Sequence, residues 1–230
     1  IVVFTSDNGP QFGHPSSDQT QMEWILDRFN CNYNGAKGFT YEGGIKVPLV
    51  IRWPAWLQGG RKVNAMAHFT DWFPTLLVAA DVPVPESLDL DGTDIWTVVT
   101  GDREETETRR FWQWNRFTPE VTSNAAVRDG AWKLVIPRID ATMTVPDLGN
   151  LQVSMYNPEH FVKNGIIESP FPKREILSPH PPELYNIEVD PEERFNRAEE
   201  EEGLLNRLLS DLETWFEEVE AERATITDPW

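Results

Sequence analysis

Three residues near the amino terminus carry groups that could do chemistry together. Asp7 and Asn8 stand side by side in "IVVFTSDNGP", and Lys37 lies between Gly35 and Gly38 in "GAKGFTYEGG". A carboxylate next to a carboxamide carbonyl offers two hard oxygens, suited to Ca²⁺ or Mg²⁺ rather than to a thiolate-loving metal. Such a cation takes about six to eight oxygens, so the rest of its shell must come from elsewhere. The same pair of residues also makes an Asx turn, in which the side chains cap their own backbone. Lys37, in a glycine-rich loop, could present an ammonium and backbone amides to an anion, or stand as an ordinary surface lysine. Glu42, in the "YEGG" that follows, could cap a turn or act on a substrate. The nucleotide-loop pattern G-x-x-x-x-G-K-[ST] is not present.

The remaining reactive side chains give less. His14, His68, His160 and His180 are scattered and show no H-x-x-x-H or H-E-x-x-H spacing. His14 follows Asp7 closely enough to reach the same site, whereas His68 is placed to pack ahead of a helix. Cys31 has no evident base near it. As the only cysteine it excludes an internal disulfide framework and a cysteine-rich zinc site.

Elements that could position these groups follow from the apolar pattern. Ile1 to Phe4 and "VPLVIRWP", Val47 to Pro54, are nearly continuous β-branched and aromatic runs, the form of strands in a parallel sheet covered on both faces. "TDWFPTLLVAADVP" predicts a helix, with Thr70 or Asp71 as cap and Pro74 in the first turn. Strand, loop, strand and helix in this order indicate an α/β core over residues 1–105. Beyond the charged "REETETRR" the pattern changes to an α+β subdomain over 106–230. "NAAVRDGAWKLVIPR" predicts a hairpin turning at Asp129-Gly130, and "ELYN" one more strand. Asp140 to Pro182 is proline-rich and loop-like. Leucines and aromatics from Leu204 to Val219 recur at helical spacing and predict a terminal helix whose stripe is core.

With 230 residues, 40% of them hydrophobic, the chain can bury a sizeable core. A formal net charge of −18 argues against nucleic acid as a partner. No run approaches the roughly 18 apolar residues that span a bilayer. The acidic runs Glu199 to Glu202 and Glu217 to Glu222 are solvated faces.

Taken together, "VVFTSDNGP", "GAKGFTYEGGIKVPLVIRWP", "TDWFPTLLVAADVPVP" and "LDGTD", followed by "NAAVRDGAWKLV" and "PPELYNIEVDPEERFNRA", resemble the carboxy-terminal part of a sulfatase of the arylsulfatase type. The resemblance implies an alkaline-phosphatase-like core with a mostly parallel sheet and flanking helices, and hydrolysis of a sulfate monoester of a small molecule or carbohydrate. It implies that Asp7 and Asn8 are ligands of Ca²⁺, with Mg²⁺ the lesser choice, and that Lys37 contacts the substrate sulfate. A preorganised cation and an ammonium suit this chemistry, because sulfate-ester cleavage builds charge on the sulfuryl and leaving oxygens.

The family's nucleophile is a formylglycine made from the first residue of C/S-x-P-S-R, which does not occur here; Cys31 is followed by "NYNG". The paired amino-terminal aspartates of the metal shell and the groups assisting the leaving oxygen are likewise unmatched. The expectation is a carboxy-terminal fragment, inactive alone, of a longer enzyme that carries the nucleophile. The alternatives are a phosphate or phosphonate ester hydrolase of the same superfamily, and a non-catalytic sulfatase-like module. Trp112 and Trp114, in "RRFWQWNR", are candidates for packing between the two subdomains or for stacking on a sugar. Oligomeric state and location are left open by the residues, with a periplasmic or extracellular setting suggested by the resemblance alone.

Overall fold

The computed structural model describes residues 1–12, 29–104, 109–116, 118–143, 158–168 and 178–225. In chain order its elements are β1 (Val2–Thr5), α1 (Glu42–Ile45), β2 (Leu49–Arg52), a 3₁₀ turn (Phe69–Asp71), α2 (Trp72–Ala79), α3 (Trp96–Thr100), β3 (Arg110–Gln113), β4 (Ala125–Asp129), β5 (Trp132–Ile136), a second 3₁₀ turn (Asp140–Thr142), α4 (Pro158–Lys163), β6 (Glu183–Asn186) and α5 (Glu202–Thr225). This is a mixed α/β arrangement with antiparallel sheets and a long terminal helix. No described helix is long and apolar enough to cross a membrane. Contacts divide the chain into two units, Ile1–Asp7 with Val47–Arg110, and Asn8–Lys46 with Phe111–Trp230. The division at 105/106 rests on composition, whereas contacts group residues 8–46 with the later strands.

In the first unit β1 and β2 pair antiparallel, with Val3 opposite Ile51 and Phe4 opposite Val50. This departs from the buried parallel strands that the apolar runs suggest. Val2 is 62% and Phe4 65% exposed. β-Branched and aromatic residues favour an extended backbone, but the direction of pairing and the burial depend on what lies alongside. Asp71 stands at the N-cap of the following helix, one of the two residues expected there, but its side chain bonds no amide of that helix and serves the 3₁₀ turn before it. The His68 side chain accepts from Thr70 N, and the Asp71 carboxylate accepts from His68 N at 2.7 Å, a reciprocal box across the 3₁₀ turn. Asp71, almost fully buried, also accepts from Thr93 N at 2.9 Å and from the Arg110 guanidinium, which ties the "LDGTD" loop to the helix start.

In the second unit the strands run in the order β3-β4-β5-β6, and β5 is antiparallel to both β4 and β6. The β4–β5 hairpin turns where expected, at Asp129 and Gly130, the latter in the left-handed region at φ 58°. The two-residue period of the strands sorts their side chains. Leu134, opposite both Val127 and Leu184, shares a face with Ala125 and Ile136, and Leu208 and Leu212 of α5 cover it. The Phe111 ring stacks on Trp215 at 5.0 Å between centroids. On the other face lie Ala126, Val135, Tyr185 and Ile187, with Tyr41 and Trp112 packed against them. Trp112 therefore packs within this unit, while Trp114 is 44% exposed.

Candidate functional site

The loop that carries Lys37 is shaped by glycines and closed by main-chain bonds. Gly35 and Gly38 bracket it at φ 76° and 89°, conformations that cost a residue with a Cβ much more than glycine. Gly9 N donates to Gly44 O at 2.8 Å, and Lys37 N donates to Pro10 O at 3.0 Å. A Cβ on Gly9 would lie 1.8 Å from Gly43 O, and one on Gly44 would lie 2.0 Å from Phe39 O. The "NGP" turn and the "GAKGFTYEGG" loop, distant in sequence, thus meet backbone to backbone inside the second unit.

At the tips of these segments the charged side chains are open. Lys37 is exposed, and among the described residues its ammonium has no hydrogen-bond or ion-pair partner. Asp7, the last residue of the first unit's opening segment, is also exposed. Among the described residues its carboxylate makes no bond to its own turn, so the side-chain cap of an Asx turn is not formed by Asp7. Asn8 donates its Nδ2 to Gly9 O at 2.8 Å, and the atom of its side chain with the chemistry of a cation ligand is the carbonyl oxygen. By donor type this pair fits a hard ion such as Ca²⁺. By number it supplies two ligands, and the described residues hold no group of three or more histidine, cysteine or acidic side chains that could grip a metal.

The other candidates separate. His14 lies outside the described residues. His68 serves the 3₁₀ turn, and Cys31 is an exposed free thiol in the left-handed region, φ 59°. Glu42 neither caps a turn nor faces solvent. Its Oε1 accepts from Lys133 Nζ at 3.0 Å, while Glu193 Oε1 accepts from the same ammonium at 2.8 Å and Glu193 Oε2 accepts from Glu42 N at 2.7 Å. All three side chains are essentially fully buried. Burial pushes the Glu42 carboxyl up, but the Lys133 charge and hydrogen bond outweigh it and hold the group below its ordinary value. Burial also raises Glu193, and there Lys133 and the Glu42 amide do not offset it; the Glu42 charge adds to the rise.

Two further clusters hold the same loop. Tyr41 and Tyr185 donate their hydroxyls to Glu183 Oε2 at 2.5 and 2.8 Å. Burial, then that carboxylate, drives both phenols well above their ordinary value and keeps them protonated donors. Asn124, ahead of β4, donates from Nδ2 to Gly38 O at 3.0 Å and accepts Thr40 N on Oδ1 at 3.2 Å. Beside the loop lies a cleft of about 500 Å³ lined by Phe39, Tyr41, Arg138, His180, Glu183 and Asn196 among others. Arg138 pairs with Asp140 at 2.9 Å, and Asn196 Oδ1 accepts from Leu184 N, so these lining groups are already engaged.

Sequence reasoning passed over Asn124, Lys133, Glu183 and Glu193. One signal was visible: Lys133 interrupts the otherwise apolar "WKLVI", which in a buried strand demands a carboxylate partner. Its two partners come from segments 91 residues before and 60 residues after it, separations that no local pattern reports.

Comparison with known proteins adds the following. The family described as N-sulphoglucosamine sulphohydrolase, C-terminal, matches residues 34–150, half the chain. N-acetylgalactosamine-6-O-sulfatase of Bacteroides thetaiotaomicron is 26% identical over 219 residues, 93% of this chain and 36% of that protein. Steryl-sulfatase of Homo sapiens is 34% identical over 107 residues, 46% of this chain and 18% of that protein. Among solved structures, one from work on glycosaminoglycan metabolism by Bacteroides thetaiotaomicron aligns at TM-score 0.61 and 24% identity, covering 93% of this chain and 38% of the other. The PsFucS1 sulfatase of Pseudoalteromonas sp. aligns at TM-score 0.52 and 21% identity, covering 97% and 36%. At these identities the structures speak to the fold. The chain spans 36% or less of the length of these two curated relatives.

Proposed function

Because the chain belongs to the sulfatase family, matching the carboxy-terminal part of its members, we propose that it works within a longer sulfuric ester hydrolase, in which its core is completed as an alkaline-phosphatase-like sheet. The observation that carries this reading is the Lys37 ammonium, exposed and without a partner among the described residues, on a loop anchored to the "NGP" turn. Lys37 binds a sulfuryl oxygen of the substrate and offsets the charge that grows there as the ester bond breaks. The Asp7 carboxylate and the Asn8 carbonyl would be two of the oxygen ligands of Ca²⁺, which when bound would supply positive charge against the negative charge that develops on the ester. Residues outside these 230 supply the formylglycine nucleophile and the remaining ligands, so the chain alone is inactive. The substrate is a sulfated carbohydrate, the class named for the Bacteroides relative that aligns along most of the chain.

The test compares aryl sulfate with aryl phosphate as substrates of the intact protein. Turnover of the sulfate ester is expected, with Lys37→Ala lowering kcat/KM roughly 100-fold or more and a chelator abolishing activity until Ca²⁺ is restored. Preference for the phosphate ester would assign the chain to a phosphohydrolase of the same superfamily, and no turnover of either would leave a binding module.

A further inference from the structure

Residues 38–42 are held one after another by the second unit's later segments. Asn124 takes Gly38 and Thr40, the Arg138 guanidinium lies 4.0 Å over the Phe39 ring, Glu183 takes Tyr41, and Lys133 with Glu193 takes Glu42. Asn124 acts closest to Lys37. It is almost fully buried and sits at φ 53°, a left-handed conformation uncommon for a residue with a Cβ, though asparagine adopts it more readily than most. Its amide is fully used: Nδ2 donates to Gly38 O and, at 2.7 Å, to Trp114 O, while Oδ1 accepts Thr40 N. One side chain thus bonds the loop on both sides of Phe39, giving Gly38 and Thr40 the kind of main-chain partners a neighbouring strand would provide. The residue gripped at its carbonyl, Gly38, is the one immediately after Lys37, and as a glycine it is the easiest to swing.

We propose that Asn124 is a positioning residue for Lys37, fixing the Gly38 carbonyl and the Thr40 amide so that the ammonium meets the sulfuryl group at one place. The proposal rests on the reading of Lys37 as the sulfate contact. It assigns Asn124 no contact with substrate; misplacement of a binding group by about 1 Å is enough to slow a reaction roughly 100-fold.

Asn124→Gly removes the amide while tolerating the left-handed backbone. In the intact protein acting on aryl sulfate, N124G is expected to lower kcat/KM about 10- to 100-fold. In a Lys37→Ala background the same change is expected to alter the rate less than about threefold, since it acts through that lysine. Full multiplicative loss in that background would overturn the proposal. Amide exchange supplies a readout independent of chemistry. N124G should speed exchange at Lys37 and Thr40 by about tenfold or more and leave Leu134 and Leu184 unchanged; unaltered exchange at Lys37 overturns the proposal. If N124G does not fold, the unaltered protein decides: Thr40 must be protected as well as Leu134, and exchange at an open-loop rate overturns the assignment. Absence of aryl sulfate turnover in the unaltered protein would remove the sulfate reading of Lys37, while the exchange rates would still report whether Asn124 holds the loop.

Discussion

The two sheets of this chain are written in similar residues and end in opposite states. β1 and β2 expose Val2, Phe4 and Val50 at 62%, 65% and 57%, whereas Val127, Leu134, Val135 and Leu184 of the second sheet are fully buried. The second sheet has α5 on one face and the Tyr41 loop and Trp112 on the other. The first, among the described residues, is a pair of four-residue strands, and a two-stranded ribbon by itself is marginal in water. An apolar run therefore states that a strand wants cover without naming the cover. The same contrast separates the proposed site groups, because Lys37 rides on a loop built into the well-packed unit and Asp7 lies just beyond a strand of the open one.

Removing the buried cation should give the largest effect on that contrast. Lys133→Ala leaves the carboxyl groups of Glu42 and Glu193 buried without their shared ammonium, a loss expected to cost about 3–5 kcal/mol in urea unfolding of the intact protein. A cost below about 1 kcal/mol would mean that the second unit does not depend on its charged side. Next comes the apolar side: Leu212→Ala empties a fully buried position on the sheet-facing side of α5 and should cost about 2–5 kcal/mol. An effect no larger than that of an exposed leucine would show α5 to be loosely docked.

Smaller and dependent on pH is the exchange of each acid for its amide. The Glu42 carboxyl lies below its ordinary value near 4.5 in the folded protein. Its contribution to stability is therefore full above that value and is lost as the pH falls through the lower, folded one. Glu193 is raised, so its contribution is present in acid and lost as the pH rises through its folded value. Glu42→Gln is accordingly expected to destabilise at pH 7 by about 1–3 kcal/mol, with the difference from the parent closing as the pH falls below 4.5 and through the lower, folded value. Glu193→Gln should cost less at pH 7. The reverse order in thermal melts across this range would show that Glu193 is the carboxylate that keeps its charge.

Local patterns made the hairpin at Asp129-Gly130, the strand at "ELYN" and the terminal helix readable, because each rests on a period or turn chemistry contained within a few residues. The antiparallel pairing of β1 with β2 was not readable, since the direction of return is set by a connection of more than forty residues, part of which lies outside the described ones. Similarly, "GAKGFTYEGG" announced a tight loop but not that Gly9 N would bond Gly44 O, nor that Asn124 and Lys133 would hold it. These are long-range polar contacts, and their only trace in the sequence is a lysine out of place in an apolar strand. The meaning of Asp7, Asn8 and Lys37 came from motif order rather than from local physics.

The smallest expected effect bears most directly on the open sheet. Val50 faces Phe4 across the β1–β2 pair. Val50→Thr keeps the β-branched shape and replaces one methyl with a hydroxyl, a change that solvent tolerates and a core does not. With Val50 as exposed as the structure has it, unfolding of the 230-residue chain by itself should shift by no more than about 0.5 kcal/mol. A loss above about 1.5 kcal/mol would mean that the hydroxyl had been placed in an apolar environment. In that case residues beyond the described ones cover β1 and β2, and the contrast between the two sheets would lie in the source of their cover, with Asp7 then lying just beyond a buried strand.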